Sequence, residues 1–174
     1  MQRGELYRVL MLQVRGRRLA SLSGPLCGVL CTLSLLARAG AETELVALTL
    51  SAASGEQQQF QVELALTPAQ RSQGLMHRAT LPARQGMLFL FPTPRPIRMW
   101  MVNTLISLDM LFFDRRGYIQ QIHARATPGS RAIIGSRQPA WGVLELRGGS
   151  AARYGIAVGD RLLLKAIVAG AHIR

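Results

Sequence analysis

The sequence predicts a mainly β fold, a compact β-sandwich or barrel-like single domain with one or two short helices. Three observations predict it: short apolar runs of strand length recur along the chain, Gly and Pro separate them, and Pro68–Gln73 alone carries a full set of helix-boundary residues. Residues 45–50 alternate and read as a short strand or tether within an N-terminal segment 40–59, whose polar remainder is a loop. Residues 60–66 begin with apolar and polar side chains in alternation, as a strand with one buried face does. Thr67 then suits an N-cap, Pro68 the first helical position and Gly74 the residue past the end. Residues 81–86 are turn-like, and the apolar strand 87–91 is expected to stop at Pro92, because Pro92, Pro94 and Pro96 cannot donate to a ladder. A strand around residues 99–102 follows. Residues 107–113 and 118–124 read as a hairpin about Asp114-Arg115-Arg116-Gly117, with glycine where a positive φ is useful. After a polar loop, 125–139, comes a strand at 141–146. The glycine-rich stretch 148–155 has room for no more than one helical turn, Gly159-Asp160 is a turn, and 162–168 is the expected last strand before a tail, 169–174. The main domain is thus expected over 60–168, with no internal repeat.

The front of the chain differs from the rest. Residues 1–18 are basic, 19–37 are apolar and uncharged, and Ala37-Arg38-Ala39 places small residues where a signal peptidase reads them. The expectation is a cleavable secretory signal over 1–39, with a second possible site after Ala41, and hence a periplasmic or secreted product. An inner-membrane anchor left by an uncleaved signal is the alternative, and membrane contact is expected only through that leader. Cys27 and Cys31 are the only cysteines and both lie in the leader, so a cleaved product has no disulfide, thiolate nucleophile or cysteine-bound metal. The formal charge is +12, but after Ala39 it falls to an excess of seven, fifteen basic residues against eight acidic ones. Those basic residues are scattered rather than collected in a run, which argues against a stripe matched to a phosphate backbone and so against nucleic acid as a partner.

Four segments occur in order: Gly74-Leu75-Met76-His77-Arg78; Gly86-Met87-Leu88-Phe89-Leu90-Phe91; Trp100-Met101-Val102-Asn103-Thr104 through Leu108-Asp109-Met110-Leu111-Phe112 to Gly117; and Val143-Leu144-Glu145-Leu146 with Gly149, Gly155-Ile156 and Gly159-Asp160. Together they resemble the domain of unknown function 192 family. The sequence departs from that pattern at Met99, where an aromatic residue usually precedes Trp100, and at Ser107, where proline is common; both bear on local turn geometry. The resemblance implies a small β domain, often exported or membrane-tethered, with no established cofactor and no assigned catalytic residues.

Candidate polar sites follow from residues that break apolar surroundings. Asn103, Thr104 and Asp109 either floor a ligand cleft or bond loop backbone, since an unmet buried polar group costs about 1–3 kcal/mol. Glu145 lies opposite Leu144 and Leu146 in strict alternation, and Arg78, carried back by the turn after Gly74, is its expected partner. Asp160 is expected to bond its own turn, or to converge with Asp109 and Glu145 as an acid–base pair or hard-metal site. His77, His123 and His172 lack zinc spacing, and no Gly-x-Ser-x-Gly elbow is present. Met76, Met87, Met99, Met101 and Met110 are either core or a soft ligand pocket suited to copper. No metal and no cofactor are expected. The expected function is a periplasmic, non-enzymatic binding or accessory module for a small ligand or envelope protein, through a cleft near Arg78, Asn103, Asp109 and Glu145. The alternative is an envelope enzyme of hydrolase type using Asp109 or Glu145 as acid or base.

Overall fold

A computed structural model describes residues 44–170; the expected leader, its cysteines and cleavage sites, and His172 lie outside the described residues. The fold is mainly β, as expected. β1 (Val46–Ser51) and β2 (Gln57–Ala65) pair antiparallel, so of the two readings of residues 45–50, strand or tether, the strand holds. The chain crosses over through α1 (Pro68–Gln73) to β3 (Gln85–Arg95), which lies parallel to β2. A parallel neighbour cannot be reached by a tight turn, which accounts for the excursion between them. The short β4 (Arg98–Met99) precedes the hairpin of β5 (Leu108–Phe113) and β6 (Ile119–Ala126). β7 (Ile134–Gly135) pairs with β4 in a separate two-stranded sheet, and β8 (Ala140–Arg147) returns between β3 and β5. The one-turn α2 (Ser150–Arg153), β9 (Arg161–Leu163) and α3 (Lys165–Gly170) complete the described chain.

The seven-stranded sheet runs β6-β5-β8-β3-β2-β1-β9 and curls into a half-barrel, because its two edges touch. Tyr118, just before β6, bridges Arg161 of β9; the Leu162 amide donates to the Gly117 carbonyl at 2.8 Å and the Ile119 amide to the Asp160 carbonyl at 2.8 Å. Gly117 has φ 88°, and a Cβ there would lie 2.2 Å from the Leu162 carbonyl oxygen, so the closure requires glycine.

Both faces of the central strands are buried. Leu88 and Leu90 of β3, Leu111 and Phe113 of β5, and Leu144 and Leu146 of β8 join Ile119 and Leu162 from the two edges in one core on the concave side. Met87 and Phe89, Met110 and Phe112, and Val143 form a second core with Leu75, Leu81, Ile97 and Met101 from the covering turns and loops. Strands buried on both sides read as unbroken apolar runs, which is how β3 and β5 look in the sequence.

Three expectations are corrected. The strand around 99–102 is only Arg98–Met99, because Asn103 adopts φ 58° and turns the chain away. β3 continues through Pro92 and Pro94 to Arg95, with its ladder to β8 interrupted between Leu90 and Arg95, where the prolines have no N–H to offer. The last strand stops at Leu163. Leu164 and Ile167 are both buried in the first core, and a three-residue step returns to one side in a helix but not in a strand, so residues 165–170 are helical.

Candidate functional site

A row of side chains crosses the outer face of the sheet. Glu63 pairs with Met87, Met87 with Glu145, and Glu145 with Met110, over the strands β2, β3, β8 and β5. Both glutamates are buried, at 6% and 3% exposure. The face predicted for Glu145 is therefore correct, but its predicted partner is not. Arg78 forks onto Glu63, with Nη1 donating to Oε1 and Nη2 to Oε2 at 2.6 Å. That hydrogen bond raises the Arg78 pKa against the opposing effect of burial. Two inter-strand spacings of about 4.8 Å each separate the glutamates, with Met87 of β3 between them, and the chain after α1 comes down beside β2. Among the described residues, no donor lies within hydrogen-bond distance of the Glu145 carboxyl. Burial pushes it up from 4.5 to about 8, so at neutral pH it is mainly the protonated acid.

Glu145 opens onto a cleft of about 410 Å3. α1 and the turn after it form one wall, through Arg71 and Met76; Phe91, Arg95, Arg98, Met99 and Trp100 form the other. Phe89, Leu75, Thr104 and Glu145 are buried at its base, whereas Arg95, Arg98 and Trp100 are exposed at its mouth. α1 is held in place by a capping box: the Gln70 amide donates to Thr67 Oγ1 at 3.2 Å, and Gln70 Oε1 accepts from the Thr67 amide at 2.9 Å. Arg71, in the last turn, donates through Nη1 to the Leu66 carbonyl and to the Leu90 carbonyl at 3.0 Å, and its guanidinium lies 4.9 Å from the centre of the Phe91 ring. Arg95 lies 5.9 Å from the same ring. Burial first, and then the charge of Arg95, lower the Arg71 pKa. Among the described residues the Arg78–Glu63 pair is the only ion pair, which leaves Arg71, Arg95 and Arg98 without a carboxylate.

The other candidates lie elsewhere. Thr104 shares the cleft, its amide donating to the Met101 carbonyl at 3.0 Å. Asn103 is exposed and does not floor the cleft; its carbonyl accepts from the His77 amide at 2.8 Å. Asp109 belongs to β5 but faces away from Glu145's side. Its carboxylate accepts the amides of Arg125 at 2.7 Å, Gly149 at 2.9 Å and Ala151 at 2.7 Å, joining the hairpin to the start of α2. Asp160 accepts from Ala53 at 3.0 Å and Ala157 at 2.9 Å. Asp109, Glu145 and Asp160 therefore do not converge, and the described residues contain no group of three His, Cys, Asp or Glu placed to hold a metal. Met87, Met101 and Met110 are core, while Met76 and Met99 line the cleft.

Sequence reasoning missed Glu63, the arginines at the mouth and the role of Trp100. One signal pointed to them: between Glu63 and Asp109 the chain has five arginines and no acidic residue. Chemically, the arrangement offers fixed positive charge at an opening, apolar walls, and a neutral carboxylic acid able to donate a hydrogen bond at the base.

Solved structures carry the same fold. A protein of Sinorhizobium meliloti with a provisional transcription-regulator label is 47% identical, with a TM-score of 0.67, over 70% of this chain and 95% of that one. A protein of unknown function from Novosphingobium aromaticivorans is 38% identical, with a TM-score of 0.65, over 68% of this chain and 84% of that one. No curated protein matches. The profile of DUF192, described as an uncharacterized ACR, matches residues 49–164, from β1 through β9 to Leu164; the chain belongs to that family.

Proposed function

We propose that this protein is an exported, non-enzymatic module that binds a small ligand in the cleft between α1 and Trp100. The observation that carries the reading is Glu145, a buried carboxyl with no donor among the described residues, facing an open cleft of about 410 Å3. The carboxyl meets the cleft without a protein partner among those residues, so a ligand acceptor placed there gains a hydrogen bond largely screened from water. Export rests on the three-part leader read from the sequence. A groove-reading role like that suggested by the relative's transcription label finds less support: none of the described helices exceeds six residues, and the three arginines of the cleft, Arg71, Arg95 and Arg98, line a concave site rather than a projecting helix.

The test has two parts. Expression of the full-length chain with a C-terminal tag, followed by fractionation, is expected to place a product shortened near Ala39 in the periplasm; a full-length product in the cytosol removes the export reading. A thermal-shift screen of small metabolites is expected to yield compounds whose effect disappears in Glu145→Leu and persists in Asp109→Asn.

One observation favours a second reading, an acid–base enzyme. A carboxyl held at about 8 at the base of a cleft has the properties of a general acid near neutral pH. Asp109 has less claim to such a role, because three backbone amides already occupy its oxygens. Glu145→Gln separates the two readings. It still donates a hydrogen bond, so binding survives, but it cannot give up a proton, so turnover does not.

A further inference from the structure

The cleft also carries information about what enters it. Its mouth has three guanidinium groups with no acidic partner among the described residues, and two of them crowd one ring: Arg71 and Arg95 lie 4.9 and 5.9 Å from the centre of Phe91. The charge of Arg95 lowers the Arg71 pKa, so the two repel, and an anion near both relieves that repulsion, whereas a cation adds to it. Arg71 is fixed by the Leu66 and Leu90 carbonyls and so is already oriented; Arg95 and Arg98 are exposed and have their donors to spare.

The inner part of the cleft is different. Phe91, Met76 and Met99 give apolar and aromatic walls, with the half-exposed Trp100 ring at their outer rim, and the base ends at the 3%-exposed Glu145 carboxyl. A bare inorganic anion at the mouth leaves these walls wet and Glu145 unmet. A wholly apolar molecule strips water from the arginines without replacing it, which is costly.

We propose that the cleft binds a small organic anion, with its carboxylate or phosphate at Arg71, Arg95 and Arg98, its apolar body across Phe91, Met99 and Trp100, and a polar atom at its inner end paired with Glu145. This rests on the small-ligand reading above and supplies its chemical class. The anion fixes the outer end, the aromatic walls supply most of the buried area, and the buried carboxyl selects for an acceptor at the far end.

The experiment uses the full-length chain and a matched set of probes: phenyl, naphthyl and decyl carboxylates and phosphate monoesters, the corresponding neutral amides and alcohols, and inorganic phosphate. Binding is read by thermal shift and by tryptophan fluorescence, with Trp100→Phe assigning the optical signal to the cleft rather than to the buried Trp141. The expected result is that organic acids bind at least about tenfold more tightly than their neutral counterparts and than inorganic phosphate. Arg95→Ala combined with Arg98→Ala, both exposed and so tolerated by the fold, is expected to remove that preference. Carboxylates against phosphates decides which anion the mouth prefers. Neutral probes binding as well as the acids overturns the anion assignment and leaves the small-ligand reading in place. Inorganic phosphate binding as well as the organic acids overturns the apolar contact. If neither acids nor neutral probes bind, both readings fall.

Discussion

Asp109 and Glu145 sit on neighbouring strands, β5 and β8, one residue out of register with each other, and both are buried. Asp109 receives three backbone amides, whereas no donor reaches Glu145 among the described residues. The difference comes from the two faces of one sheet. On Asp109's side, the turn into α2 folds down with its first amides pointing at the carboxylate. On Glu145's side, the covering layer is α1 and the proline-containing end of β3; α1 spends its polar groups on its own cap and on the Leu66 and Leu90 carbonyls, and the layer stops short of closing. A carboxylate met by three amides is part of the frame; a carboxyl without a protein partner among the described residues, at the base of an opening, is the group on which the proposed ligand site rests.

The comparison can be broken or sharpened by substitution. Asp109→Ala strands three amides and is expected to destabilise the protein most, by about 5 kcal/mol, read from the shift in urea midpoint; a loss below about 1 kcal/mol shows that the three bonds contribute little.

Glu145→Gln is expected to act in the opposite sense. The Glu145 carboxyl rises from 4.5 in the unfolded chain to about 8 in the fold, so the folded state holds an extra proton between those values. The stability contributed by this group is complete below pH 4.5 and is lost as the pH rises to about 8, a fall on the order of 4 kcal/mol for so buried a group. Glutamine does not titrate. The variant is therefore expected to match the wild type near pH 4 and to exceed its stability at pH 9, and parallel stability profiles across that range contradict the assignment.

Asp160→Ala removes two amide bonds rather than three and is expected to cost about 3 kcal/mol. Since Asp160 ties the loop after β1 to the turn before β9, hydrogen exchange is expected to increase first at Ala53 and Ala157. The smallest effect belongs to the cleft wall. Thr67→Ala opens the capping box of α1 at about 1 kcal/mol. By loosening Arg71 it is expected to weaken organic-anion binding more than it lowers the melting temperature.

Much of this frame was legible in the residues. Thr67, Pro68, Gln70 and Gly74 delimit α1 because capping acts within four positions, and the hairpin about Asp114 and Gly117 follows from equally local geometry. Glu145 was placed on the correct face because alternation along a strand is also local. Its pairing with Arg78 was misjudged because sequence pattern does not tell β2 from β8 as the strand lying beneath the turn after α1. The end of the chain was misread for a related reason: a run such as Leu162-Leu163-Leu164 satisfies a strand or a helix equally, and only the position of the concave core shows that Ile167 has to return to the same side.

What the residue order determined alone was the set of short-range choices: strand alternation, the caps of α1, the glycine of the Asp114–Gly117 turn, and motifs distinctive enough to indicate the family. Tertiary structure decided which carboxyl was satisfied. Asp109 finds its three donors 16, 40 and 42 positions away, and Glu63 finds Arg78 at 15. A hydrogen bond depends on angstroms rather than on sequence distance, so which carboxyl lacks a protein partner emerges only when every other segment has taken its place.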